Sequence, residues 1–106
     1  PGDETMTLTP YASSPVFDDQ SLPDKLRNDH RTKDGTWGLL RVLEGEVRLI
    51  FTEPHREVLV TPDMPAPIAP LATHYVVPLG KMTMQVEFYR SEPVLDVDQM
   101  TEPSGG

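Results

Sequence analysis

The chain has 106 residues, enough for one domain, and its 12 prolines and 7 glycines favour many short segments over long helices. A net charge of −8 argues against nucleic acid as a partner, because the 9 basic residues do not cluster. No apolar run is long enough to span a membrane, no signal pattern opens the sequence, and cysteine is absent. We therefore expect a cytoplasmic protein.

The first third of the chain predicts little regular structure. "MTLT", near the first residues, has the weak alternation of an arm or an edge strand. "SLPDKLR" favours a helix of one or two turns between Ser21 and Arg27, with Ser21 as the N-cap and Pro23 near the first turn. An extended segment through His30 follows, and "KDG" at 33–35 predicts a turn. We expect less than about one tenth helix in the protein.

The strongest strand pattern is "TWGLLRVLEGEVRLIF". Residues 36–43 are rich in β-formers, 44–45 predict a two-residue turn, and 46–51 alternate polar and apolar side chains. We therefore predict one hairpin over this stretch and another over 30–38, which carries the single tryptophan of the chain.

The second half predicts further short strands. "EPHRE" is a predicted turn, "VLV" a strand, and "TPDMPAPIAPLATH", with its four prolines, a winding loop with at most one short strand. "HYVVP" and "KMTMQVEFYR" are predicted strands, and in the second Glu87 and Tyr89 alternate with Val86 and Phe88. "PVLDVD" is a candidate edge strand. Because parallel crossovers need about a dozen residues, these short turns predict an all-β antiparallel sandwich or barrel.

The segments "HRTKDGTWGLLRVLEGEVRLIF", "IAPLATHYV" and "MQVEFYR", in this order, resemble the small cupin-like domain of the tellurite-resistance TehB-type family, over about residues 14–90. The resemblance implies an antiparallel double-stranded β-helix, a cupin-like jelly-roll barrel with a pocket between two sheets. It would form a single domain over residues 1–106, with arms flanking the core. The family domain occurs alone or ahead of a methyltransferase domain. No glycine-rich loop between a strand and a helix is present here, so we do not expect methyl transfer.

Two histidines are candidate metal ligands, because the resemblance places the segments of both around the barrel mouth. The four-ligand set of the wider cupin superfamily is incomplete, since only His30 precedes Gly45, and His74 follows Pro70. Two histidines and a carboxylate can hold a divalent ion with open positions, and Glu87 is the best carboxylate because it lies mid-strand. We predict that these three residues hold one divalent metal, namely zinc, iron or nickel. Its affinity should fall below about pH 6.5 as the imidazoles protonate.

Trp37, Arg41 and Tyr89 are predicted to line the same pocket and to contact its cofactor or ligand, with Trp37 contributing first to the core. An alternative remains open for the carboxylate. Glu87 and Arg41 could instead form a cross-strand ion pair or lie on a solvated outer face. His55, in the "EPHRE" turn, is interpreted as a solvated histidine outside the site.

The sequence therefore predicts a cupin-like module that binds a small molecule or a divalent metal in its barrel pocket. The family name implies a link to a toxic-oxyanion or other chemical stress response. A metal-dependent enzyme of oxidation or isomerisation, and a structural or interaction domain without catalysis, are the alternatives. "MTLT" and "PVLDVD", as edge strands, predict a homodimer, whereas neither nucleic acid nor a membrane is an expected partner.

Overall fold

The structure is a computed structural model that describes residues 9–93. These residues form two antiparallel sheets that pack face to face, together with one short helix, α1 (Asp24–Arg27). The predicted all-β antiparallel fold is confirmed. The predicted edge segments "MTLT" and "PVLDVD" fall outside the described residues except for Thr9 and Pro93.

The nine strands divide between the sheets as five and four. The first sheet contains β1 (Ala12–Ser13), β2 (Phe17–Asp18), β4 (Trp37–Glu44), β7 (Ala66–Ile68) and β9 (Thr83–Tyr89). The second sheet contains β3 (His30–Arg31), β5 (Val47–Thr52), β6 (His55–Val60) and β8 (Thr73–Pro78). The order is β1-β9-β4-β7 in the first, with β2 also on β9, and β3-β8-β5-β6 in the second. The expected short strand in the proline-rich loop is β7.

The predicted hairpins are wrong, because the turns concerned connect different sheets. β4 pairs with β7 and β9, whereas β5 pairs with β6 and β8. β3 likewise pairs with β8 and not with β4. Among the described strands, β5 and β6 do form a local hairpin, around a turn at 53–54 that is shorter than predicted. The short turns therefore predicted correctly that the strands are antiparallel. They did not predict which strands pair with each other.

Two of these sheet-changing turns contact each other at one end of the barrel. Gly45 has a φ of +80°, and a Cβ atom placed on it would lie 2.3 Å from the carbonyl oxygen of Lys81. Leu79 N donates a hydrogen bond of 3.1 Å to Glu46 O. Glycine is required here both by the left-handed backbone and by the close approach. The β4–β5 and β8–β9 connections are thereby fixed together.

The core lies between the sheets and takes apolar side chains from both. Leu40 and Met84 from the first sheet and Val47, Leu49 and Val60 from the second are fully buried. Each such side chain contributes about 1.5–3 kcal/mol through the apolar area it removes from water. The core holds the two sheets face to face and so fixes the walls of the space between them.

The short helix lies where the sequence predicted it, but its start differs. Pro23, not Ser21, is the N-cap, and it makes no side-chain capping bond. The Ser21 hydroxyl instead accepts a hydrogen bond from Asp18 N at 2.9 Å. The Asp18 carboxylate accepts bonds from the backbone of Gln20 and Ser21, which lower the pKa of that carboxyl. The described part of the chain has no helix long and apolar enough to cross a membrane.

Candidate functional site

A cavity of about 600 Å³ lies between the two sheets. Ligand pockets in proteins commonly measure about 300–1,000 Å³, so the volume suits a small molecule. Gly38 lies on the wall and leaves space because it has no side chain. The inner wall is apolar and is formed by Leu40, Ile68, Val76, Met84 and Val86.

A pair of histidines forms the main polar feature of the cavity wall. The register of β3 on β8 places His30 directly opposite His74, and both line the cavity. The centres of the two rings are 4.1 Å apart, and the ring planes are inclined by 59°. His74 is buried, with 5% of its surface exposed, whereas His30 is half-buried. One atom of a ligand in the cavity could therefore contact both rings.

The backbone fixes which nitrogen of each neutral ring carries the proton. His74 Nδ1 lies 2.8 Å from Ala72 O, and His30 Nδ1 lies 3.0 Å from Asn28 O. A carbonyl oxygen can only accept, so Nδ1 is the donor in both rings and Nε2 keeps its lone pair. Within residues 9–93 neither Nε2 atom has a hydrogen-bond partner. Two acceptor atoms are thus available to a ligand.

Burial lowers the pKa of His74 from its usual 6.5 to about 4. The nearby His30 ring lowers it further, while the hydrogen bond to Ala72 O acts in the opposite direction. At neutral pH the His74 imidazole is therefore uncharged, which is the state in which Nε2 can bind a metal ion or accept a hydrogen bond.

Glu87 does not lie with the histidines, contrary to the prediction. The alternation in β9 is as expected, but Val86 and Phe88 line the cavity and Glu87 lies on the opposite face of the sheet. There Arg41 Nε and the Tyr89 hydroxyl both donate to Glu87 Oε1, at 2.8 Å and 2.9 Å. The structure therefore has the alternative arrangement, a cross-strand ion pair.

The three residues predicted to bind a cofactor lie on that same outer face. Trp37 is opposite Tyr89 in the register of β4 on β9, and both pack against the buried Leu39. Arg41 is bonded to Glu87, and this bond raises the pKa of the guanidinium. Burial, and secondly the bond to Glu87, raise the pKa of Tyr89. Trp37, Arg41 and Tyr89 are absent from the cavity wall.

The metal site as first predicted is consequently not assembled. Within residues 9–93 no three His, Cys, Asp or Glu side chains are grouped so that they could hold one ion. His30 and His74 remain together as two candidate ligands, and metal binding by them stays a prediction. His55 is exposed, and its Nε2 lies 3.2 Å from Glu57 Oε2, away from the cavity.

Several cavity residues were not among the predicted site residues. Lys25, Arg31 and Lys33 line its outer part, and Thr32 lies between the last two in sequence. The Thr32 hydroxyl is buried and has no hydrogen-bond partner among the described residues. The apolar face of β9 was the sequence signal that could have identified the cavity side, because a barrel interior accepts apolar side chains most readily.

Sequence comparisons place the chain among known proteins. The family model described as the TehB-like domain matches residues 12–86. The probable S-adenosyl-L-methionine-dependent methyltransferase TehB of Haemophilus influenzae is 34% identical over 71 residues, which cover 62% of this chain and 25% of that protein. The match therefore spans about a quarter of the length of that relative.

Structural comparisons agree with the sequence match. The crystal structure of TehB from Haemophilus influenzae has a TM-score of 0.69 and 32% identity, covering 76% of this chain and 30% of that one. A protein from E. coli K12 has a TM-score of 0.71 and 17% identity, covering 78% and 90%. Fe(II) HppE has a TM-score of 0.54 and 18% identity, covering 70% and 40%, so these last two show a shared fold alone. With a cupin-like fold and a family match over residues 12–86, this chain belongs to the TehB-like domain family.

Proposed function

We propose that this domain is a binding module that takes one small molecule into the cavity between its sheets. The observation that carries the proposal is a cavity of about 600 Å³ with an apolar inner wall and the paired histidines on its side. Apolar walls with a few polar groups are the usual composition of small-molecule sites. A packed jelly-roll core without this space would support only a structural role.

The polar atoms of the cavity support the same proposal. The Nε2 atoms of His30 and His74 and the hydroxyl of Thr32 have no hydrogen-bond partner within residues 9–93. Buried polar atoms are normally hydrogen-bonded, and leaving one unpaired costs about 1–3 kcal/mol. Of these atoms, only the Thr32 hydroxyl is fully buried. A ligand that bonded to it would remove that cost, and the Nε2 atoms would help to orient the ligand.

The test uses three six-carbon probes, hexan-1-ol, hexanoate and hexylamine, added to the full chain. Methyl signals of Ile68, Val76, Met84 and Val86 report on the inner wall in NMR spectra. We expect at least one probe to shift these signals saturably, with a dissociation constant below about 10 mM. If none of the probes shifts them in that range, the cavity is not a binding site for small molecules and the proposal is wrong.

A divalent metal ion on the two histidines is a second candidate, and one specific observation favours it. Histidine ligands of metals usually donate their other ring N–H to a carbonyl or carboxylate, as both Nδ1 atoms do here. Two imidazoles leave further coordination positions, which water or a bound molecule would have to fill. Because the pKa of His74 is about 4, its Nε2 remains unprotonated well below the pH of 6.5 first expected for loss of metal.

The metal candidate is tested by titrating the purified chain with Zn²⁺ and with Ni²⁺ in a calorimeter. We expect one ion per chain, lost in His74→Ala and in His30→Ala. His55→Ala is the matched control, because His55 is exposed and lies outside the cavity. Binding that survives in His74→Ala and disappears in His55→Ala would assign the ion to the surface and reject this candidate.

Methyl transfer is not part of the proposal. The relative TehB is a probable S-adenosyl-L-methionine-dependent methyltransferase, and this chain matches 25% of its length. The matched region corresponds to a β-barrel, and the strand, glycine-rich loop and helix that bind a nucleotide cofactor are not among its described elements. A ligand-binding role is therefore the activity that the cavity itself supports.

A further inference from the structure

The charged residues that line the cavity are all basic or histidine, although the chain as a whole is acidic. The sequence has 17 acidic residues and 9 Lys and Arg. Lys25, Arg31 and Lys33 line the cavity, and no aspartate or glutamate of the described residues 9–93 does. Acidic residues outnumber basic ones in the chain, yet the charged residues on the cavity wall are basic. The cavity wall therefore has the opposite charge to the chain as a whole.

These three cations have no ion-pair partner within residues 9–93. Arg41 and Arg48, elsewhere on the sheets, do have carboxylate partners. Asp24, Asp29 and Asp34 are neighbours in sequence, yet none of them lines the cavity. No carboxylate of residues 9–93 therefore lies within ion-pair distance of these three positive charges.

The three cations come from one stretch of the chain, residues 25–33. Arg31 follows His30 in β3, Lys33 comes two residues later, and Lys25 lies on α1. All three are exposed, whereas the inner wall, with Leu40 and Met84, is buried and apolar. The cavity thus has charged residues exposed to solvent and a buried, apolar inner wall.

We infer that the ligand of this cavity is a small organic anion, with an oxyanion head at Lys25 and Lys33 and an apolar body against the inner wall. The inference rests on the proposed function and adds the chemical class of the ligand. Arginine and lysine form charge-assisted hydrogen bonds with carboxylate and phosphate groups. Cations without an ion-pair partner also attract anions from solution. The head lies at the cations and not at the inner His74, because an unprotonated Nε2 accepts hydrogen bonds and does not bind another acceptor.

The test compares hexanoate with hexan-1-ol, which has the same chain and no charge, and with inorganic phosphate, which has no apolar body. Binding to the full chain is followed by NMR at the inner-wall methyls and at the backbone of residues 30–33. We expect hexanoate to bind about tenfold more tightly than hexan-1-ol, and hexylamine most weakly of the organic probes. The preference for hexanoate should shrink in 1 M NaCl, where the screening length is about 3 Å.

Matched variants test whether the cavity-lining cations cause the preference for hexanoate over hexan-1-ol. Lys33→Gln and Lys25→Gln should each weaken hexanoate several-fold and leave hexan-1-ol unchanged, which also shows that the cavity is intact. Lys81→Gln removes the same charge from an exposed position outside the cavity and should change neither affinity.

The outcomes separate the two proposals. Equal affinity for hexanoate and hexan-1-ol, or an equal loss in Lys81→Gln and Lys33→Gln, overturns the anion inference and leaves small-molecule binding in place. Phosphate binding as tight as that of hexanoate, without shifts of the inner-wall methyls, also overturns it, since the apolar body would then be irrelevant. Failure of all organic probes rejects the proposed function and the inference together.

Discussion

The two faces of the sheet formed by β4 and β9 differ in how completely their polar atoms are paired. On the outer face Glu87 accepts hydrogen bonds from Arg41 and Tyr89, and the charged group has its partners within the protein. On the cavity face the wall is apolar, and across the cavity His30 and His74 have acceptor atoms without partners in residues 9–93. A charged residue in mid-strand can thus have all its partners within the protein, whereas the two imidazole acceptor atoms beside the cavity have none in residues 9–93.

The comparison also separates two sources of stability. The outer face combines polar bonds around a partly exposed arginine with a small apolar cluster of Leu39, Trp37 and Tyr89, whereas the cavity side depends on burial of apolar side chains. Burial contributes more per residue than a partly exposed ion pair does. Truncation of a buried apolar side chain should therefore lower stability on either face, loss of the ion pair should lower it less, and only changes on the cavity face should alter ligand binding.

The largest effects are expected from truncating the neighbouring leucines of β4. Leu39 and Leu40 are 1% and 0% exposed and lie on opposite faces of the sheet. Each of Leu39→Ala and Leu40→Ala should lower the free energy of unfolding by about 2–5 kcal/mol, as measured by urea denaturation. Leu40→Ala enlarges the cavity and should change the affinity for hexan-1-ol, whereas Leu39→Ala should not. Equal changes in affinity would mean that the two faces are not independent.

Lowering the pH should destabilise the cavity side through His74. Its pKa is about 4 in the folded protein and about 6.5 in the unfolded chain. Between these values the unfolded state binds more protons, so stability is full above pH 6.5 and is lost as the pH falls towards 4. The loss should reach about 3 kcal/mol, at 1.36 kcal/mol per unit. Urea denaturation at several pH values measures it.

The control for this pH dependence replaces one histidine at a time. His74→Leu should flatten the fall in stability between pH 6.5 and 4, because the buried titrating group is gone. His55→Leu removes an exposed histidine and should leave the slope as it is in the unmodified protein. An unchanged slope in His74→Leu would assign the destabilisation to other groups.

A smaller effect is expected from the ion pair on the outer face. The Arg41 side chain is 41% exposed, so solvent screens its attraction to Glu87. A double-mutant cycle with Arg41→Met and Glu87→Gln should give a coupling energy of about 1 kcal/mol or less. Neither substitution should alter the affinity for hexanoate or Zn²⁺. If Glu87→Gln weakened either one, the original prediction of Glu87 as a ligand would be restored.

The smallest effect on stability is expected at Gly38, whose added methyl group would point into the cavity. A Cβ atom there would lie 3.6 Å from Ile68 Cβ and 3.7 Å from Val86 Cγ1, which are ordinary contacts. Gly38→Ala should therefore leave the free energy of unfolding unchanged or raise it by up to about 0.5 kcal/mol, because alanine has fewer conformations than glycine in the unfolded chain. The smaller cavity should weaken hexan-1-ol binding. Unchanged probe affinity would place the bound probe away from this wall.

Much of the fold could be predicted because its signals are local. The alternation in β9 correctly separated Glu87 and Tyr89 from Val86 and Phe88, and the proline-rich loop contained the one expected short strand, β7. The pairing of strands could not be predicted in the same way. The turn at Gly45 looks like a hairpin turn, yet its close contact with Lys81 belongs to a connection between sheets.

The candidate site was predicted in part. His30 and His74 were selected together from their segments, and the register of β3 on β8 brings them together. Glu87 was selected because a charge in mid-strand needs a partner, and the partner is Arg41 and not a metal ion. Lys25, Arg31 and Lys33 were not among the predicted site residues, because the sequence does not show which charged residues line a cavity.

The sequence by itself determined the all-β antiparallel class, the family and the division of each strand into two sets of side chains. The class and the two sets of side chains follow from composition, short turns and a period of two, which are properties of neighbouring residues. The family follows from the resemblance of three segments to a known domain. The tertiary structure decided which set faces the cavity, which strands pair and which charges stay unpaired. Those outcomes depend on residues far apart in the chain, such as His30 with His74 and Arg41 with Glu87, because packing of the second sheet determines which face of the first is buried.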